Sequence, residues 1–132
     1  MGFMSTTTTN PIKILVIDDK KVIQDFFDFT LGFYGHQITV VHNPSEVKGL
    51  IEGQVFDIAF LDIVMPDKDG IEVLKEIKSI CPNLPVVMMS GYSIQEQKDE
   101  AVRLGARGCL KKPFELEDIR RVIKQVIDRD VS

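Results

Sequence analysis

Five short apolar runs, at residues 12–17, 38–41, 56–61, 86–89 and, more weakly, 109–110, alternate with segments whose apolar residues recur at helical spacing. Such an alternation admits few folds. The helical spacing is carried by Val47, Leu50 and Ile51, then by Ile71, Val73, Leu74 and Ile77, and last by Leu116, Ile119, Ile123 and Val126. Strands that are almost wholly apolar must be covered on both faces, and strands separated by helices are joined by crossovers rather than hairpins. The expected class is therefore α/β, a doubly wound five-stranded parallel sheet flanked by five helices. The second helix has the clearest start, with Asn43 as N-cap, Pro44 at the first helical position and Glu46 completing a capping box.

The chain's 132 residues fit one domain, expected over 11–129, with 130–132 as a C-terminal end. Residues 1–10 include the run Thr6, Thr7, Thr8, Thr9 and few core-forming side chains. They read as a flexible tail or a cloning scar ahead of Met4, although the first six residues formally match an N-myristoylation pattern. A net charge of −4 argues against a domain living on phosphate-backbone contacts, so direct nucleic-acid binding is not expected. No apolar run is long enough to span a bilayer and no signal peptide is visible, which points to the cytoplasm and to no membrane contact. Cys81 and Cys109 lack metal-ligand spacing and suggest no disulfide framework.

Polar residues cluster where the apolar runs end. Asp18 and Asp19 follow the first run, Asp62 the third and Ser90 the fourth, while Lys112 lies just beyond the fifth. In open α/β sheets the carboxyl edge of the strands is where ligands bind, and a 2-1-3-4-5 order would set the first and third strands side by side at the switch point. Three carboxylates would converge there. Such a group repels itself unless protons or a cation intervene, and an all-oxygen set suits magnesium, with manganese as the alternative. Taken singly, each residue reads as a helix cap, a strand end or a loop start; the joint placement opposite a lysine favours a site.

In this arrangement Ile14-Leu15-Val16-Ile17-Asp18-Asp19, Leu61-Asp62-Ile63-Val64-Met65-Pro66-Asp67-Lys68-Asp69-Gly70, Met89-Ser90-Gly91 and Leu110-Lys111-Lys112-Pro113-Phe114 resemble the receiver domain of two-component response regulators, including the chemotaxis response regulator. The resemblance implies a flavodoxin-like fold and a phosphoacceptor at Asp62 that takes its phosphoryl group from a histidine kinase or a histidine phosphotransfer domain. It implies a magnesium site formed by Asp18, Asp19, Asp62 and the backbone carbonyl of Val64. It implies further that Lys112 stabilises the transferred group and that Ser90 takes part in a conformational switch. Lys112-Pro113 is expected to be cis, and Lys111 to face solvent. The output would pass to a downstream effector or a fused output domain, with dimerisation on phosphorylation as an option. Such a domain is a signalling module rather than an enzyme with turnover on a separate substrate.

Some positions depart from the family pattern. The aromatic residue usual three places before the lysine is Cys109 here, so an aromatic rotamer switch is missing and the thiol reads equally as a small core filler. The fourth helix, expected over 94–104, has a thin apolar stripe and is the natural moving part. By the resemblance, Val64 and Tyr92 occupy places that in this family tune hydrolysis of the phosphoaspartate, and an apolar Val64 predicts a slow loss of the phosphoryl group. Val64 also disfavours an aspartyl-nucleophile phosphatase, whose acid/base Asp belongs there. A pseudo-receiver that binds partners without phosphorylation would typically lack the acceptor, acidic pair or lysine, and all are present. The first helix carries Val22, Ile23, Phe26, Phe27, Phe29, Leu31 and Phe33, a wider apolar arc than one sheet-facing stripe requires; Phe27 and Lys21 are the expected contacts for a docking kinase or phosphotransfer helix. His36 and His42 read as turn and strand-end residues.

Overall fold

The computed structural model describes residues 11–65, 68–91 and 95–131. The elements run β1 (Lys13–Ile17), α1 (Lys21–Phe33), β2 (Gln37–Val41), a 3-10 turn (Pro44–Glu46), α2 (Val47–Gly53), β3 (Ile58–Asp62), α3 (Gly70–Ile80), β4 (Val86–Ser90), α4 (Gln95–Arg103), β5 (Gly108–Lys111) and α5 (Leu116–Val131). All strand pairs are parallel and the order is β2-β1-β3-β4-β5. The expected architecture and strand order are the observed ones.

Alternation along each strand divides the core into two layers. Leu15, Ile17, Ala59, Leu61, Val86 and Met88 point to one face and pack with Ile51, Leu74, Ile77 and Ala101 of α2, α3 and α4. Ile14, Val16, Ile58, Phe60, Val87 and Met89 point to the other, against Phe27 and Leu31 of α1 and Ile119, Ile123 and Val126 of α5. Complete burial of β1 residues 14–17 and of β3 and β4 explains why these strands read as continuous apolar runs. The edge strands β2 and β5 are partly open, and the shorter β5 is the weak sequence signal.

Two local expectations change. Asn43 does cap, but its side chain accepts from the Ser45 N–H at 3.0 Å, and the turn that follows is 3-10 before the α-helix begins at Val47. The tighter Pro44–Glu46 turn lets Asn43 reach the second amide, so the capping-box geometry is not the one adopted. Phe27 is fully buried, its ring centroid 4.9 Å from that of Phe60, so it belongs to the core and is unavailable for docking. The exposed aromatic residues of α1 are Phe29 and Phe33, at 82% and 84% exposure.

His36 follows the positive-φ Gly35 at the end of α1 and accepts the Ile12 N–H on Nδ1 at 3.1 Å, which ties β1 to the α1–β2 turn. Burial, reinforced by the charge of Arg120, pushes its pKa below the ordinary 6.5. The unfolded chain therefore takes up this proton first, and the contribution of His36 is complete above about pH 6.5 and lost as pH falls through the depressed folded value. Urea unfolding at neutral pH and at about pH 5.5 is expected to show a smaller acid loss for His36→Asn, which keeps an acceptor but cannot titrate. An unchanged pH slope would remove His36 from the account.

Among the described residues, no helix is long and apolar enough to cross a membrane.

Candidate functional site

The carboxyl ends of β1, β3 and β4 lie side by side because β1 pairs with β3 and β3 with β4. Asp18 follows directly on β1, Asp62 is the last residue of β3 and Ser90 the last of β4. All three are buried, with exposures of 0%, 2% and 2%. Asp19 is more open, its side chain 29% exposed. Lys112 arrives from the loop after β5, its backbone N–H donating to Ser90 O at 2.8 Å. The Lys112-Pro113 bond is cis, as expected, and Lys111 faces solvent.

The side chains converge as the sequence order suggested. Lys112 Nζ donates to Asp18 Oδ2 at 2.8 Å and to Asp62 Oδ2 at 3.2 Å, bridging the two buried carboxylates. Asp62 Oδ1 accepts from the Val64 N–H at 3.2 Å, and Asp18 Oδ1 from the Lys20 N–H at 2.8 Å. Asp18, Asp19 and Asp62 each present a carboxylate oxygen, all within 4.8 Å of one another. Three hard oxygen donors at that separation, one of them open to solvent, fit a magnesium ion that keeps part of its water shell.

Three contributors were not singled out from the sequence. Lys20 Nζ lies 3.3 Å from Asp19 Oδ1 and 3.4 Å from Asp62 Oδ2, a second ammonium on the acidic pocket. Partial burial by itself would pull its pKa down, but Asp62, Asp19 and Asp18 outweigh that and hold it above the ordinary lysine value. Gln24, buried on α1, donates through Nε2 to Asp18 O and to His42 Nδ1 at 2.6 and 2.8 Å, fixing the turn that aims Asp18. Gly70 opens α3 against the end of β3, where a Cβ would meet Ile63 Cα and Ile63 O at 2.7 Å and also Asp62 O. Lys20 was masked in the sequence by its common reading as a solvated charge, whereas Gln24 and Gly70 carry no local signal for what they touch.

Other expected positions behave differently. Cys109 is exposed on β5 and so is not a core filler; the alternation of β5 buries Leu110 instead. Partial desolvation raises the thiol pKa, and Lys98 offsets this in part. The Val64 side chain is 54% exposed at the rim of the pocket. Tyr92 lies outside the described residues. Within the described residues helix α4 spans Gln95–Arg103, ending one residue before the expected 104, and buries only Ala101 among the residues assigned to it; position 94 lies outside the described residues.

The family model described as response regulator receiver domain matches residues 14–124, which spans both core layers and the whole acidic pocket. The chain belongs to the response regulator receiver family. The transcriptional regulatory protein ZraR of Escherichia coli is 31% identical over 120 residues, which cover 91% of this chain and 27% of that protein. This receiver therefore spans about a quarter of that relative. A CheY-like receiver domain protein from Methanospirillum hungatei superimposes with a TM-score of 0.86 at 28% identity, covering 91% of this chain and 96% of that one. The Vibrio cholerae chemotaxis protein CheY4 gives 0.83 at 27% identity, with 89% and 99% covered.

Proposed function

We propose that this receiver is a cytoplasmic magnesium-dependent phosphoacceptor in which Asp62 takes a phosphoryl group from the phosphohistidine of a kinase or phosphotransfer domain. The observation that carries the reading is the Lys112 ammonium bridging Asp18 and Asp62 at the carboxyl edge of the sheet. A carboxylate oxygen of Asp62 bonds to phosphorus as the phosphorus–nitrogen bond of the donor breaks, and the imidazole leaves with the electron pair. A carboxylate nucleophile has no proton to surrender, so no general base is required. Lys112 stabilises charge developing on the equatorial oxygens, which is the main catalytic demand of phosphoryl transfer. The side chains of Asp18, Asp19 and Asp62 and the backbone carbonyl of Val64 would hold the magnesium ion (manganese as an alternative). When bound, the ion neutralises the oxygens of the phosphoryl group.

Ser90, buried beside Asp62, would donate to a phosphoryl oxygen once the group is in place. That bond supplies about 1.5–3 kcal/mol, against the roughly 5.5 kcal/mol needed to carry a two-state equilibrium from 1:99 to 99:1. The remainder falls to Lys112, to the ion and to repacking around α4, whose thin apolar anchorage makes it the mobile element. Cys109 supplies no aromatic gate. The apolar side chain of Val64 cannot orient an attacking water, so hydrolysis of the phosphoaspartate is expected to be slow; Tyr92 would be the second tuning position.

For the protein donor, α1 offers Val22, Phe26, Phe29 and Phe33 at intervals of four, three and four, a stripe suited to a second helix. Val22, Phe29 and Phe33 are exposed. The stripe starts beside Lys20 and the acidic pocket, so a helix laid along it would bring a phosphohistidine to Asp62. A downstream effector or fused output domain would read the switched surface, with dimerisation as one form of output.

Acetyl phosphate with magnesium is the direct test, read by intact mass. One added phosphoryl group that a chelator prevents is expected; absence of any adduct would overturn the proposal.

A further inference from the structure

The acidic pocket holds two ammonium groups, and they are not equivalent. Lys112 is 13% exposed and bridges the two buried carboxylates, Asp18 and Asp62. Lys20 is 52% exposed and straddles Asp19 and Asp62 from the solvent side. Asp19 and Asp62 are two of the three carboxylates that can share a cation. Lys20 Nζ thus stands on two of the three carboxylates that a divalent ion entering from solvent would contact.

Charge counting points the same way. Three carboxylates against Lys112 and Lys20 leave the pocket at −1 formal charge. A divalent cation added with both lysines in place would make it +1, whereas the same cation with Lys20 swung into water leaves it neutral. The half-exposed side chain has an open path outward, and its long stem lets the head group move without disturbing the backbone. The Lys20 N–H bond to Asp18 Oδ1 is a main-chain contact and survives any side-chain change.

We propose that Lys20 is a built-in counter-ion that occupies the cation-facing side of the pocket and must be displaced for magnesium to bind, so that it sets the magnesium affinity of the receiver. The inference rests on the magnesium reading above. Its consequences are distinct from it: the lysine stabilises the metal-free pocket by relieving repulsion between Asp19 and Asp62, and it weakens magnesium binding in the same measure. Lys20 acts as a positioning residue for the acidic side chains.

Calorimetric titration of Mg2+ into the full chain, with thermal unfolding in chelator and in saturating Mg2+, tests this on wild type, Lys20→Gln and Lys20→Arg. Lys20→Gln is expected to bind Mg2+ about fivefold more tightly at low ionic strength, with the gain shrinking as salt screens the pocket. Its unfolding midpoint should fall in chelator and recover in Mg2+, while Lys20→Arg stays within about twofold of wild type in affinity. Equal or weaker Mg2+ binding by Lys20→Gln overturns the counter-ion role, including the case in which the variant is merely slower with acetyl phosphate. A wild type that binds no Mg2+ at all, with Lys20→Gln equally silent, overturns the magnesium reading itself.

Discussion

Asp62→Asn is expected to abolish the phosphoryl adduct formed with acetyl phosphate and Mg2+, while circular dichroism and the unfolding transition stay close to wild type. The substitution is nearly isosteric and removes the nucleophilic charge. It leaves Lys112 and Lys20 facing Asp18 and Asp19, two ammonium groups against two carboxylates, so no uncompensated buried charge is created. The amide oxygen of the substituted side chain can still accept from the Val64 N–H, as Asp62 Oδ1 does now. Loss of the adduct with the fold intact therefore reports chemistry and not misfolding. An adduct formed at the wild-type rate by Asp62→Asn would place the acceptor elsewhere and remove the central claim.

The largest effect on the fold is expected from a single methyl group at Gly70. A Cβ at this position would meet main-chain atoms, Ile63 Cα and Ile63 O at 2.7 Å as well as Asp62 O, and main chain cannot swing aside as a side chain can. The Gly70 N–H is also donated to Ile63 O at 2.9 Å, so the start of α3 and the end of β3 are already drawn together. Gly70→Ala must push α3 from the strand end or displace the segment that carries Asp62. A loss of about 3 kcal/mol in urea unfolding is expected. Because the displaced segment holds the nucleophile, acetyl phosphate reactivity at a temperature where the variant is folded should fall by about tenfold or more. Wild-type stability would show that the strand end gives way at little cost; full reactivity in a destabilised variant would show that Asp62 is held independently of α3.

Much of the fold and of the pocket is legible in the sequence. The runs that became β1, β3 and β4 stood out because both faces of these strands are buried, so every second residue could not be polar. The edge strand β5 was weak for the complementary reason: Cys109 and Lys111 point to solvent and only Leu110 is buried. The candidate site was legible because its carboxylates and lysine follow strand ends, and a parallel sheet brings all such ends to one edge. Phe27 and Phe29, two residues apart on one helix, were not separable in the same way. Helical spacing showed an apolar arc wider than the sheet can cover but not which part of it was left over. Phe60 packing against Phe27 decides that, and leaves Phe29 and Phe33 in water.

By itself the sequence determined the class and the set of Asp18, Asp19, Asp62, Ser90 and Lys112, since burial pattern and chain direction are properties of residue order, while the strand order came with the family resemblance. The partnerships were decided only in three dimensions. Lys20 on Asp19 and Asp62, Gln24 under Asp18 and Gly70 against Ile63 each depend on the angle at which a helix leaves or meets the sheet, and that angle is set by the packing of both core layers. Local pattern carries the direction in which a side chain points relative to its own element. Which charge it then meets, at about 3 Å or at about 10 Å, is a property of how the elements are packed.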